Sequence, residues 1–124
     1  MEEIKRYKIV YTETAERQLT DKADYITWQF GAPDLAEIWY ERLRADIQSG
    51  LSTIPYKFQL YDVSPWREQG IRIFLSRNDI VLYQVDETNG FVYLEAALTK
   101  GTDLTTLENE STCWRIVLKL WLFL

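Results

Sequence analysis

The sequence predicts one α+β domain in which a helical hairpin covers an antiparallel sheet. Three observations predict it: a short β-prone run near the N-terminus, two amphipathic helical stripes after it, and three apolar runs separated by turn signals between residues 70 and 98. We therefore expect an N-terminal strand, an antiparallel helical hairpin and a three-stranded antiparallel meander. A sheet this small is marginal alone, so the helices must pack on it.

The meander is predicted from the pattern of its three runs. In Ile71–Leu75 apolar residues alternate, which places Arg72 and Phe74 on the second face. Ile80–Val85 is almost continuously apolar, as in a central strand covered on both faces. Phe91–Leu98 is the third strand. The turn signals between the strands are Asn78-Asp79 and Asn89-Gly90.

The first strand and the first helix are predicted from residues 7–31. Tyr7–Tyr11 is β-prone, and Thr12 is a typical N-cap. A 4-4-3-4 spacing then marks one apolar stripe, and Gly31 ends the helix. The residues of the stripe are Ala15, Leu19, Ala23, Ile26 and Phe30.

The second helix begins near Pro33 and is closed by Gly50. Its stripe consists of Ala36, Trp39 or Tyr40, Leu43 and Ile47. Leu51–Gly70 is irregular, and we expect a long loop over one end of the sheet, with an extended piece at Tyr56, Phe58 and Leu60. Trp28, Trp39 and Trp66 are interpreted as packing residues, and Arg42 and Arg44 as part of a solvated helix surface.

Beyond residue 103 the character of the chain changes, so we divide it into a domain, 1–103, and a C-terminal extension, 104–124. The segment Trp114–Leu124 is apolar except for Arg115 and Lys119. Exposed, it would form a contiguous apolar patch. We expect it to pack either across the open sheet face of its own chain or against a second copy in a homodimer.

Composition excludes several kinds of site. The net charge of −5 disfavours tight sequence-independent binding to nucleic acid, so we expect no direct DNA binding. The chain has no His, which excludes a His base and His metal ligands, and we expect neither a metal nor a cofactor. Cys113 is the single cysteine, which fits a reducing compartment. The N-terminus has acids where a signal peptide has bases and no long apolar stretch, so we expect a cytoplasmic protein without a transmembrane segment.

The order of these signals resembles the RelE/ParE toxin family of type II toxin–antitoxin systems, and within it the ParE branch. The resemblance covers about residues 4–103. Its first half is carried by Thr12, Ala15, Tyr25-Ile26 and Phe30-Gly31, then Leu51 and Pro55. Its second half is carried by Arg72, Asn78, Ile80, Tyr83 and Val85, and by a closing Lys100-Gly101-Thr102-Asp103.

The resemblance implies a toxin that inhibits DNA gyrase through protein–protein binding and is neutralised by a cognate antitoxin. Growth inhibition and plasmid stabilization are the roles that go with it. We expect the antitoxin segment to dock on the sheet face that the helices leave open. Two alternatives stay open: a RelE-like endoribonuclease that cuts messenger RNA on the ribosome without a metal, and a non-toxic relative that only binds an antitoxin.

The candidate site residues follow from the same resemblance. Nuclease members use Lys, Arg and Tyr side chains on the sheet, and Arg72 matches the first of these positions. At the next two positions, where those members have basic residues, this chain has Phe74 and Ile80. Lys100 stands near the last basic position, and Tyr83 is a candidate whose apolar surroundings favour a core role. Arg72 has the alternative of pairing with a carboxylate such as Glu95. The predicted partner-binding residues are Arg67, Arg72, Phe74, Arg77 and Lys100.

Overall fold

A helical hairpin packs on a four-stranded sheet in the computed structural model, which describes residues 5–99. The predicted α+β class is confirmed. In chain order the elements are β1 (Lys8–Tyr11), α1 (Glu13–Phe30), α2 (Pro33–Leu51), a 3-10 helix (Pro55–Lys57), β2 (Arg72–Ser76), β3 (Asp79–Asp86) and β4 (Phe91–Thr99).

The sheet has the strand order β1-β4-β3-β2. The predicted antiparallel meander of β2, β3 and β4 is confirmed. β1 joins the far edge parallel to β4, with Lys8 opposite Phe91 and Tyr11 opposite Leu94. Parallel strands require a long crossover, and the chain between β1 and β4 contains the helical hairpin, the segment after it, β2 and β3.

The helix ends are built largely as their residues predict. The backbone N–H of Ala15 donates to the Thr12 hydroxyl at 3.2 Å, and that hydroxyl donates to the Leu94 carbonyl at 2.6 Å. Thr12 therefore caps α1 and ties it to β4. Gly31 ends α1 with a φ of 59°, as expected. The predicted stop at Gly50 is wrong, because α2 continues to Leu51.

The main core lies between the helices and the sheet. Leu19, Leu43 and Ile47 are almost completely buried against sheet residues such as Val81 and Leu94. Phe30 was expected in the same stripe, but it is 64% exposed. The apolar stripe is present, but α1 extends beyond the sheet on which its first half packs.

A second core fills the opposite face of the sheet. Its buried residues are Trp66, Ile71, Ile80, Leu82, Ala96 and Leu98, with Tyr61, Val63 and Ile73 packed against them. The expectation that this face stays open is therefore wrong, because the segment between α2 and β2 covers it. That segment also bonds to the outer edge of β2, where Tyr61 N–H donates to Ile71 O at 2.8 Å and Ile73 N–H to Gln59 O at 3.0 Å. Tyr56, expected in an extended piece, lies in the 3-10 helix.

An extra residue in β4 changes which of its side chains face each core. Tyr83 pairs with Leu94 and Leu82 pairs with Ala96, which leaves Glu95 as the bulged residue. Leu94 therefore packs in the main core, whereas Ala96 packs in the second core.

The two predicted turns differ in how well they are placed. The Asn89-Gly90 signal lies within the turn between β3 and β4, where Gly90 has a φ of 71°. The first turn is Arg77-Asn78 rather than Asn78-Asp79, and Arg77 takes the positive φ of 55°. Asp79 instead opens β3 and is buried.

The predicted extension 104–124, together with Lys100 and Cys113, lies outside the described residues. Within residues 5–99 neither helix combines the length and the hydropathy that crossing a membrane requires.

Candidate functional site

Arg72 lies at the start of β2 and is held by main-chain oxygens. Its guanidinium donates to the Phe58 carbonyl at 2.6 Å and lies 5.1 Å from the centre of the Tyr56 ring. Charge-assisted hydrogen bonds of this kind are strong. Arg72 therefore fastens the segment around the 3-10 helix to the sheet.

Tyr83 is the cross-strand neighbour of Arg72 and is fully buried. Its hydroxyl donates to the Pro55 carbonyl at 2.5 Å. Burial raises the pKa of Tyr83 well above its usual value, and the nearby Arg72 charge offsets only part of that effect. The hydroxyl thus stays protonated and engaged, which confirms the interpretation of Tyr83 as a core residue.

The remaining predicted binding residues that lie within 5–99 do not all lie close to Arg72. Phe74 is buried, and its ring contacts Phe58 edge-to-face at a centroid distance of 5.0 Å. Arg67 is exposed and pairs with Asp62 in the segment that covers the second core. Arg77 lies in the turn after β2, five residues along from Arg72, or roughly 17 Å at the rise of a strand. The described arginines therefore do not form one cationic cleft.

A cluster of polar side chains around Glu87 adjoins Arg72 through Tyr56. Lys5 Nζ approaches Glu87 Oε1 at 2.5 Å, and the Tyr7 and Tyr56 hydroxyls donate to Oε2 at 2.6 and 3.0 Å. These donors, Lys5 first, lower the pKa of Glu87 to about 2. The same bond, with burial, raises the pKa of Tyr7 to about 12. The Glu87 cluster thus fixes the N-terminal segment against the β3–β4 turn.

A buried carboxylate, Asp79, joins both helices to β3. It pairs with Lys22 of α1 and accepts a hydrogen bond from Trp39 Nε1 of α2 at 2.9 Å. Arg42 lies 3.8 Å away, so it faces this carboxylate. Arg44 stacks on Tyr11 at 4.3 Å. The interpretation of these two arginines as a merely solvated surface is therefore wrong.

An open groove lies between the end of α2 and the end of β2. It encloses about 290 Å³ and is lined by Asp46, Ser49, Gly50, Phe74, Leu75, Ser76 and Arg77. Leu75 is 55% exposed, and it lies just past the part of the β2 edge that Gln59–Tyr61 covers. This stretch of β2 is the accessible part of that sheet edge.

The comparisons with known proteins bear on the fold. No family model and no curated protein matches the sequence. Among solved structures, the chain is similar to the toxin–antitoxin complex RelBE2 from Mycobacterium tuberculosis, with a TM-score of 0.56 and 16% identity. The match covers 81% of this chain and 98% of that chain. The chain has a RelE/ParE-like toxin fold.

In this RelE/ParE-like fold, Phe74 and Ile80, which stand where nuclease members have basic residues, are both buried. Phe74 packs in the main core and Ile80 in the second core, on opposite faces of the sheet. A base at either place would be a buried charge, which is costly unless it is paired. Within residues 5–99, moreover, no group of three acidic or Cys side chains is arranged to hold a metal ion.

The Glu87 and Asp79 clusters were missed at the level of sequence. Lys5 and Tyr7 meet Glu87 because β1 runs parallel to β4, a pairing that periodicity does not reveal. Asp79 was interpreted as a turn residue, and its position before an apolar run was the available signal. A carboxylate that begins a central strand is buried beside the helices and therefore requires partners.

Proposed function

We propose that this protein is the toxin of a type II toxin–antitoxin system and acts, like the ParE branch, by binding a protein target. The observation that carries the proposal is the RelE/ParE-like fold, which matches nearly the whole of a chain in the RelBE2 complex. DNA gyrase is the target that the sequence resemblance implies. Growth inhibition in the cytoplasm, and plasmid stabilization through it, are the roles that follow.

The dispersal of the basic residues favours protein binding over RNA cleavage. Cleavage through a 2′-hydroxyl needs a group that takes its proton and cations that stabilise the charge developing on the phosphate. Arg72 is engaged by the Phe58 carbonyl, and the Tyr83 hydroxyl is buried and donates to Pro55. A target bound through surface contacts requires neither group.

A cognate antitoxin is the second partner in this proposal. Since Trp66 and its neighbours fill the sheet face first expected to receive it, we place its docking segment along the accessible end of β2. An extended segment can add to such an edge through main-chain hydrogen bonds while its side chains enter a groove. Of the predicted binding residues, Arg77 lines that groove, beside the exposed Leu75.

Induction of the full chain in cells without antitoxin tests the function. We expect growth arrest with a DNA-damage response while translation continues, and rescue by the product of the adjacent small open reading frame. Immediate arrest of translation with cleaved messenger RNA would instead establish the RelE-like alternative. Normal growth at a verified level of folded protein would indicate the non-toxic relative.

A further inference from the structure

The tip of the helical hairpin exposes a concentration of large apolar side chains. Five residues within a stretch of fourteen are exposed by half or more: Tyr25 by 58%, Trp28 by 80%, Phe30 by 64%, Leu35 by 50% and Ile38 by 60%. Tyr25 with Trp28, and Leu35 with Ile38, are three residues apart and share a helix face, whereas Phe30 lies about 200° around the helix from Trp28. We call the four residues Tyr25, Trp28, Leu35 and Ile38 the hairpin surface. The interpretation of Trp28 as a packing residue of the domain core is thus wrong. Single exposed apolar residues are ordinary, whereas a group of large ones marks a site of interaction.

Phe30 lies outside the hairpin surface, at the exposed end of the apolar stripe of α1. It belongs to the α1 stripe whose earlier member Leu19 is buried and whose member Ile26 packs partly against the core. The last described polar contact of α1 with the sheet is made by Lys22, which reaches Asp79 at the first residue of β3. Phe30 lies eight residues further, about 12 Å along the axis of a helix. The stripe therefore extends past its sheet.

The hairpin surface is surrounded by negative charge. Residues 21–41 contain five acids, Asp21, Asp24, Asp34, Glu37 and Glu41, and a single base, Lys22. Lys22 is already paired with the buried Asp79, and the next base, Arg42, faces the same carboxylate at 3.8 Å. A ligand that suits this tip is therefore apolar and carries positive charge.

The same chain contains a segment with that composition. Trp114–Leu124 has nine apolar residues, the two bases Arg115 and Lys119, and no acid. The last described residue, Thr99, pairs with Asp79 in the sheet, so the chain leaves the described part beside the hairpin. Fourteen residues connect Thr99 to Trp114 and can span up to about 50 Å. The distance along α1 from Gln18, which bonds to Ala97, to Phe30 is only about 18 Å.

We propose that Trp114–Leu124 docks on the hairpin surface of its own chain, with Arg115 and Lys119 toward the acids that surround it. The second core argues against the sheet face as the docking place, because Trp66, Tyr61 and Val63 already occupy that face. The docking does not depend on the proposed function and stands or fails separately from it.

Crosslinking in the full chain tests the docking, because Cys113 directly precedes the segment and is the single cysteine. Glu37→Cys puts a thiol beside the hairpin surface, and the matched control Gln59→Cys puts one at an exposed position on the segment that covers the second core. Under mild oxidation we expect a monomeric disulfide-linked product at least fivefold faster from Glu37→Cys, at a rate independent of protein concentration. Equal rates, a faster reaction of Gln59→Cys, or dimers as the main product would overturn the proposal.

Oxidative footprinting of Trp28 provides a second readout that needs no engineered cysteine. In the double variant Leu118→Asp/Leu122→Asp we expect Trp28 to be oxidised several-fold faster than in the unmodified chain, with buried Trp66 unchanged. The control Thr105→Asp/Thr106→Asp adds the same charge outside the segment and should leave the rate at Trp28 as it was. An unaltered rate in the first variant would mean that the segment does not cover the hairpin surface.

Discussion

At Gly50 the last turn of α2 approaches β2 so closely that a side chain has no room. A Cβ at this position would lie 2.7 Å from Cε2 of Phe74, a ring that is itself buried against Phe58. Alanine is favoured over glycine in a helix by about 1 kcal/mol, but overpacking a core costs about 1–3 kcal/mol. We therefore expect Gly50→Ala to lower the free energy of unfolding by about 1 kcal/mol, measured by urea denaturation.

Two further variants identify the clash as the cause. Gln48→Ala, at an exposed position of the same helix, should leave the denaturation midpoint nearly unchanged. Combining Gly50→Ala with Phe74→Leu should cost less than the sum of the two single changes, because the shorter side chain relieves the contact. A stabilised Gly50→Ala protein would show that Phe74 moves aside freely.

Glu87 predicts a pH dependence of stability. Its folded pKa of about 2 lies below its ordinary value of 4.5, because Lys5, Tyr7 and Tyr56 bind the ionised form. A lowered folded pKa stabilises the folded state above the ordinary pKa and loses that effect as the pH falls toward 2. We expect Glu87→Gln to reduce stability at pH 7 and the gap from the unmodified protein to narrow between pH 4.5 and pH 2. Urea midpoints across that range measure it, and a gap independent of pH would contradict it.

At the scale of elements, Tyr83 and Arg72 hold the segment after α2 against the sheet. Replacing Tyr83 by Phe leaves the buried Pro55 carbonyl without its donor. An unsatisfied buried polar group costs about 1–3 kcal/mol. We expect a destabilisation of that size, together with faster proteolysis near residues 55–58. Tyr25→Phe, at an exposed position, is the matched control and should change neither quantity.

Elements that depend on local sequence were predictable, whereas the pairing of distant segments was not. Thr12 and Gly31 mark the ends of α1 because capping uses neighbouring backbone groups. The parallel partner of β1 and the covering of the second core depend on contacts between distant parts of the chain, which periodicity does not encode. Phe30 makes the same point: its spacing shows which face of α1 is apolar but not where the sheet stops.

The candidate site was less predictable than the fold for a related reason. Arg72 was identified through the family resemblance, but its partners, Phe58 and Tyr56, come from an irregular segment whose path the sequence does not define. Arg77 was grouped with Arg72 although a strand length separates them. Each residue of an extended strand adds about 3.3 Å, so basic residues only a few positions apart can be too distant to share a cleft.

For the whole molecule, the proposed antitoxin site predicts that a substitution in the groove weakens antitoxin binding without changing the stability of the fold. Leu75→Asp places a charge in the groove beside Arg77, where the side chain is already 55% exposed. We expect at least a tenfold weaker affinity for the antitoxin in a calorimetric titration, with little change in the melting temperature. Ile54→Asp, at a residue of similar exposure away from the groove, is the control. An equal loss of affinity in both variants would show that the antitoxin does not bind in this groove.

Alternate residues of β3 and β4 pack in the two cores, and the bulge at Glu95 changes which residues of β4 do so. The two cores therefore share both strands. If one core opened, β3 and β4 would lose the packing on one face, and the other core depends on the same two strands. We therefore expect the described domain to unfold in one cooperative step, with the slowest amide hydrogen exchange in β3 and β4. Such a domain has no half-folded form populated at equilibrium, so release of the proposed antitoxin would leave a completely folded protein.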